Sequence, residues 1–245
     1  MDLKLGYYTV NEKPFYKKLD ALLFANTTLA DVNWHFNDAT YNKQNWSIEP
    51  TVSLSDIYKA RAQQIRDQYD YVIVMVSGGA DSTNVIYSFL KNGIHVDEVI
   101  AAAPLSGLNN WEWSENTDPA NTISETKFAQ LPLLDEIKTH WPNVKITIHD
   151  YFEDMVNYKT DEWVYRASSH LNLSVAKHSL DKFSHIKNLA ESGKKIAKVY
   201  GIDKPWICRS ENGTLYSAIV DQVVQVPQYD STKENHHNVE TVLFY

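Results

Sequence analysis

The sequence predicts an α/β fold: a doubly wound, mostly parallel sheet with flanking helices, plus a small C-terminal hairpin. Three observations predict it. First, short Val- and Ile-rich runs alternate with segments of helical periodicity, in the order strand–helix–strand–helix–strand–helix–strand, as parallel crossovers require. Second, the run Tyr71–Val76 has no polar alternation, which suits a strand covered on both faces. Third, that run leads directly into Ser77-Gly78-Gly79-Ala80-Asp81-Ser82 and then into a helical pattern.

Taken in order, residues 1–52 read as an N-terminal appendage of unclear fold. Phe15, Leu19, Leu22 and Leu23 mark a short amphipathic helix over 15–25, and Trp34-His35-Phe36 and Asn45–Ile48 read as strand pieces. The main α/β domain is expected over 53–220. Ser53-Leu-Ser-Asp56 is a variant capping box, and Leu54, Ile57, Tyr58, Ile65 and Tyr69 share one face of the helix it opens. After strand 71–76, Val85, Ile86, Phe89 and Leu90 form a second helical face, stopped by Asn92-Gly93. A strand over 96–103 follows, then a long connection from Pro104 to Asn121. Thr122-Ile-Ser-Glu125 is a capping box opening a helix that Pro132 must kink or divide. Strand 144–149 follows, and Asp150-Tyr-Phe-Glu153 opens another helix. Helical pattern extends from about 161 to 192, closed by Gly193, and leads to strand 196–202. Trp206–Val220 reads as a hairpin turning at Asn212-Gly213. Residues 221–245 form a tail whose last run, Thr241–Tyr245, suits a final strand or a chain that continues in a longer protein.

Composition narrows the function classes. With 43% hydrophobic residues and no apolar run near eighteen, the chain reads as globular rather than membrane-spanning. Its first residues lack a signal-peptide layout, so a cytoplasmic location is expected. A net charge of −8 argues against broad nucleic-acid binding but leaves room for a small anion in a local pocket. The single cysteine, Cys208, excludes an internal disulfide and any Cys-x-x-Cys pair. The histidines, among them His140, His149, His170, His178 and His185, lack zinc-site spacing, although His170 and His178 share a helical face with Arg166.

The chemistry centres on 77–82. Two glycines permit a sharp turn and close approach of backbone to a ligand. The following helix N-terminus favours anions, and Ser77 and Ser82 add hydroxyl groups. Asp81 repels a bare phosphate, so its natural partner is Mg²⁺, a hard cation commonly shared between carboxylate and phosphate. Neither a Walker A loop nor a Gly-x-Gly-x-x-Gly turn is present. In such a sheet, ligands bind at the carboxyl ends of the strands, which gathers loops 77–82, 104–121 and 203–210. The middle loop carries Trp111, Glu112, Trp113 and Glu115, either as a substrate cover or as side chains packed on the surface. Lys204 and Arg209 follow a strand end, where a cation stabilises charge on a leaving pyrophosphate. Lys194, Lys195 and Lys198 read as a solvated helix end and strand edge.

Ser77, Gly78, Gly79, Asp81 and Ser82 match the Ser-Gly-Gly-x-Asp-Ser signature, and the chain thereby resembles the N-type ATP pyrophosphatases, the adenine nucleotide alpha-hydrolase-like superfamily. The resemblance is specific over 71–93, weaker to about 216, and carries no functional information before residue 50. It is similar also to bacteriophage proteins of PAPS reductase-like or asparagine synthetase-like type. The resemblance implies a Rossmann-like HUP domain that binds ATP and Mg²⁺. Ser77, Gly78, Gly79 and Ser82 would hold pyrophosphate, Asp81 the metal, and backbone near Ala102 and Ala103 the adenine. It implies cleavage to AMP and pyrophosphate, with an unidentified acceptor adenylated for attack by an amine, free or from a separate donor. The chain lacks the C-terminal Glu-Cys-Gly-x-His type motif of PAPS reductases, the paired cysteines of tRNA thiolation enzymes and a glutamine amidotransferase domain. Two alternatives stand beside this reading: a sulfur-transfer or PAPS reductase-like enzyme using Cys208, and a nucleotide-binding module or retired enzyme serving in interactions.

Overall fold

A computed structural model of the chain describes residues 6–36, 38–109, 122–153, 183–201, 206–218 and 238–245. Its centre is a five-stranded, all-parallel sheet of β4 (Tyr71–Met75), β5 (Glu98–Ala103), β6 (Lys145–Asp150), β7 (Ile196–Tyr200) and β10 (Val239–Leu243). The spatial order is β10-β7-β4-β5-β6. The chain therefore steps outward from β4 to β6, then returns to the other side of β4. That reversal creates a switch point between β4 and β7, and in open α/β sheets ligands bind at the carboxyl ends of strands at such a point.

Helices cover both faces. On one, Val72, Val74, Val99 and Val199 are fully buried. They pack with α3 (Leu54–Gln68), α4 (Ala80–Leu90) and α7 (Leu131–His140) in one cluster that includes Ile65, Phe89 and Ile137. Side chains of this size stabilise by about 1.5–3 kcal/mol each when fully buried. On the other face, Ile73, Met75, Ile100 and Ile196 meet Phe183 and Ile186, the latter on α8 (Ser184–Glu191). The doubly wound α/β fold expected from the alternation of runs is the observed one.

The second face is not purely apolar. Lys198, expected at a solvated edge, is 1% exposed, because β7 is an interior strand and position 198 faces the α8 side. Glu98 on the same face is wholly buried. The strand expected from Val96 begins at Glu98 instead, since Asp97 turns its carboxylate to neighbouring elements. Asp97 Oδ2 accepts from Arg66 Nη1 at 2.5 Å and from the Val72 amide at 2.7 Å, tying α3 to two strands.

Helix α3 starts as the capping residue dictates: Ser53 Oγ accepts from the Asp56 amide at 3.1 Å. Its inward face is shorter than the periodicity implied. Leu54 is 62% exposed and Ile57 40%, because the first turn runs past the sheet, while Ala62 and Ile65 are buried. The strand β10 joins the core as its edge. Arg61 on α3 donates to Leu243 O at 2.7 Å and Phe244 O at 3.1 Å, and Tyr69 donates to Glu240 at 2.6 Å.

The division expected at Pro132 appears one turn earlier. The helix runs from α6 (Thr122–Glu125) through a π turn at Thr126–Gln130 into α7, with Pro132 directly after the π turn, in the first turn of α7. The connection expected to be structureless from Pro104 begins with a short helix, α5 (Leu105–Asn109). A two-stranded antiparallel hairpin, β8 (Trp206–Arg209) with β9 (Leu215–Ala218), turns through Gly213 as expected.

Before residue 53 stands a separate antiparallel sheet of β1 (Tyr7–Val10), β2 (Lys13–Phe15) and β3 (Asn33–His35), in the order β2-β1-β3. Helix α1 (Lys18–Thr28) covers it through Ala21 and Ala25. The helix expected over 15–25 starts later because Asn11 and Glu12 both take positive φ, which closes a two-residue hairpin and draws Lys13–Phe15 into pairing. After the short helix α2 (Asp38–Tyr41), the strand expected at 45–48 is a turn, in which Asn45 Oδ1 accepts from the Ser47 amide at 3.1 Å.

Candidate functional site

The candidate site grows from the end of β4, the central strand. The Val76 amide still donates to Ile100 O at 2.9 Å; beyond it the chain leaves the sheet. Gly79 is the N-cap of α4, with extended backbone and no side chain to cap the helix. The first-turn amides of α4 thus have no capping hydroxyl or carboxylate from that position, which leaves a positive helix terminus at the switch point.

The two glycines serve different ends. Gly78 has φ +89°, and a Cβ there would lie 2.4 Å from the Gln130 amide nitrogen. Its missing side chain is therefore demanded by the turn and by the π turn packed against it, not by ligand approach. At Gly79 a Cβ would meet only Ser77 Oγ and Glu125 Oε1, each at 3.4 Å, an ordinary contact. There the absence of a side chain keeps the helix end open.

The two serines hold the loop together. Ser82 Oγ accepts from the Ser77 amide at 3.2 Å, donates to Gly79 O at 3.1 Å and lies 3.2 Å from Ser77 Oγ. Ser77 Oγ accepts from the Gly79 amide at 3.3 Å. Every one of these contacts is long for its type, so each is weak and open to exchange for a better acceptor. Ser82 is buried, whereas Ser77 is exposed. Asp81 is half-buried in the first turn of α4.

The end of β7 closes against the same turn. A Cβ on Gly201 would lie 2.7 Å from Val85 Cγ2 and 2.8 Å from Asp81 O, so only glycine lets the strand pass. Asp81 O also accepts from the Tyr245 hydroxyl at 3.3 Å. The sequence signal for this contact was a glycine directly after a β-branched strand run, where close backbone approach is the usual reason.

Ala102 and Ala103 end β5, with Ala102 half-buried and Ala103 buried. Beside them is a rim that sequence reasoning missed. Asp150 Oδ2 accepts from the Ser106 amide at 2.8 Å and from the Ser106 hydroxyl, and Asp150 Oδ1 from the Phe152 amide at 3.1 Å. Burial pushes the Asp150 carboxyl up, but the hydrogen bonds from Ser106, Phe152 and Leu105 outweigh it and hold it below the ordinary range. Next to it the Tyr151 phenol is pushed far up, first by burial and then by the carboxylates of Glu125 and Asp150. Glu125 had read only as a capping residue; its place beside Gly79 and Tyr151 follows from the crossover after β5, which no local pattern encodes.

The other expected site residues divide. Arg209 is exposed on β8 and forms no hydrogen bond or ion pair with residues 77–82. Cys208 is half-buried with a free thiol. Lys204, the tryptophans and glutamates of 111–115, Arg166, His170 and His178 lie outside the described residues. Among the described residues, no three His, Cys, Asp or Glu side chains converge as a metal site, and no helix is long and apolar enough to cross a membrane. Compared with known proteins, the sequence matches no family model and no curated protein.

Proposed function

We propose that the chain binds MgATP and cleaves it to AMP and pyrophosphate, adenylating an acceptor that a nucleophile such as an amine then attacks. One observation carries this reading: the Ser77–Ser82 loop leaves the central strand at the topological switch point and opens an uncapped helix, α4. The residues fit the ligand. The open helix end at Gly79 and the hydroxyl of the exposed Ser77 suit phosphate oxygens, while Asp81 in the first turn suits a cation shared with them.

In this reading the cradle holds the β- and γ-phosphates, and the α-phosphorus is left facing the acceptor. The acceptor oxygen forms a bond to that phosphorus as the bond to the bridging oxygen breaks, and pyrophosphate departs with the electron pair. Bound Mg²⁺ would neutralise phosphate charge, and Asp81 would hold it. Lys204 or Arg209, the cations that follow β7, are assigned to the charge developing on pyrophosphate. A loop with no lysine also differs from phosphate loops that promote γ-phosphate transfer. Incubation with Mg²⁺, α-labelled ATP and a metabolite extract is expected to yield AMP and pyrophosphate. ADP and orthophosphate as main products would refute the reading.

A second reading, a nucleotide-binding module without turnover, uses the same cradle and follows from the lack of a recognisable second-substrate motif in the sequence. Tight ATP binding with no product under the same conditions would select it. A sulfur-transfer reading rests on Cys208 alone. Cys208→Ala is expected to keep adenylating activity within a few fold, measured as pyrophosphate release; complete loss from a normally folded variant would favour sulfur chemistry.

A further inference from the structure

Gln130 ends the π turn and is 2% exposed. Its side-chain amide donates to Val76 O at 2.8 Å and to Ala102 O at 3.2 Å. These two carbonyls lie where β4 turns away into the loop while β5 continues, so the carboxamide fills the fork between the strands. Its other polar atom, Oε1, is buried and has no hydrogen-bond partner among the described residues. The backbone of Ala129 and Gln130 also occupies the space a Gly78 side chain would need. One residue therefore touches the strand end before the loop, the loop itself and the strand end assigned to the base.

This arrangement is costly. A buried acceptor left unsatisfied disfavours folding, and π turns are rare and frequently found at functional sites. A leucine would fill the fork without a stranded acceptor, but it would leave Val76 O and Ala102 O without their donor. The clamp on both strand ends is what the glutamine adds.

We propose that Gln130 is a positioning residue that sets the distance between the phosphate cradle at Ser77–Ser82 and the end of β5 at Ala102–Ala103. This rests on the nucleotide reading above. A ligand that spans both places, ATP, depends on that distance. Inorganic pyrophosphate, which occupies only the cradle, does not.

The test is calorimetric titration of Mg²⁺ with ATP, and separately of Mg²⁺ with inorganic pyrophosphate, into the wild type and Gln130→Leu well below the melting temperature. Gln130→Met, which keeps the length of the side chain and removes both donors without burying a charge, is the second variant should leucine prevent folding. The expected result is ATP binding weakened about tenfold, within the range for a residue that acts on a site through neighbouring backbone rather than by contact, with pyrophosphate binding changed by less than about twofold. Unchanged ATP affinity in a folded variant would overturn the proposal, as would equal weakening of both ligands. A wild type that binds neither ligand would instead overturn the nucleotide reading on which the proposal rests.

Discussion

Asp81→Asn is expected to abolish Mg²⁺-dependent ATP cleavage, by more than about a hundredfold, while leaving the fold intact. The two halves of this expectation have separate causes. Asp81 is half-buried in the first turn of α4 and supports none of the apolar clusters. One structural contribution is the favourable placement of a negative charge near a helix N-terminus, worth about 0.3–1 kcal/mol, and asparagine keeps its size and most of its hydrogen-bonding capacity. The melting temperature should therefore move by only a few degrees. Cleavage, on the proposed reading, needs the carboxylate for the metal, and an amide is a poor substitute for a hard divalent cation. Pyrophosphate release at saturating Mg²⁺, alongside thermal unfolding, separates the two. Wild-type turnover in the variant would remove the metal role and with it most of the case for an ATP pyrophosphatase.

The largest expected effect on stability lies elsewhere, at Glu98. Its carboxylate is wholly buried in the sheet face covered by α8. His185 Nε2 lies 2.9 Å from both of its oxygens, the Tyr71 hydroxyl donates at 3.0 Å, Lys145 Nζ approaches to 3.2 Å, and the Thr147 hydroxyl donates as well. Glu98→Ala removes the common acceptor of four side chains. Breaking a buried charged pair from one side costs about 3–5 kcal/mol. Here the lower figure applies, because Lys145 and His185 are partly exposed and regain water. A loss of about 3 kcal/mol corresponds to a fall in melting temperature of roughly 6–12 °C for a chain of this length. Lys145→Ala, which deletes an exposed partner, should cost under about 1 kcal/mol. Urea unfolding of both variants measures the contrast; equal small losses would show that the carboxylate is not the organising centre of that face. Tyr71 supplies an independent readout. Its phenol is pushed far up, first by burial and then by the Glu98 carboxylate, so Glu98→Ala should bring its ionisation toward the ordinary value.

Much of the α/β core was legible in the sequence, because its signals are local. A β-branched run such as Val72–Val76 has one economical fate, a strand covered on both sides, and Ser53 can satisfy helix amides wherever α3 lies. The same holds for the hairpin turning at Gly213. The signals failed where neighbours decide. Asn45–Ile48 has strand composition, yet the Asn45 side chain closed a turn. Asn11-Glu12 lacks the usual glycine but was forced into a left-handed turn by the pairing of β1 with β2. Lys198 looked like a surface residue because one side chain does not reveal that its strand is interior.

The candidate site divides in the same way. The sequence by itself determined the loop at 77–82, its glycine turn and its place between a strand and a helix, since these depend on adjacent residues and their backbone preferences. Only the tertiary structure decided that β7 returns beside β4, bringing Gly201 within contact of Asp81 O, and that the π turn after β5 places Gln130 across the ends of two strands and Glu125 beside Gly79. Those contacts join residues from 28 to 120 positions apart. They arise from strand order and helix packing, which depend on every buried surface at once and leave no periodicity in any one segment.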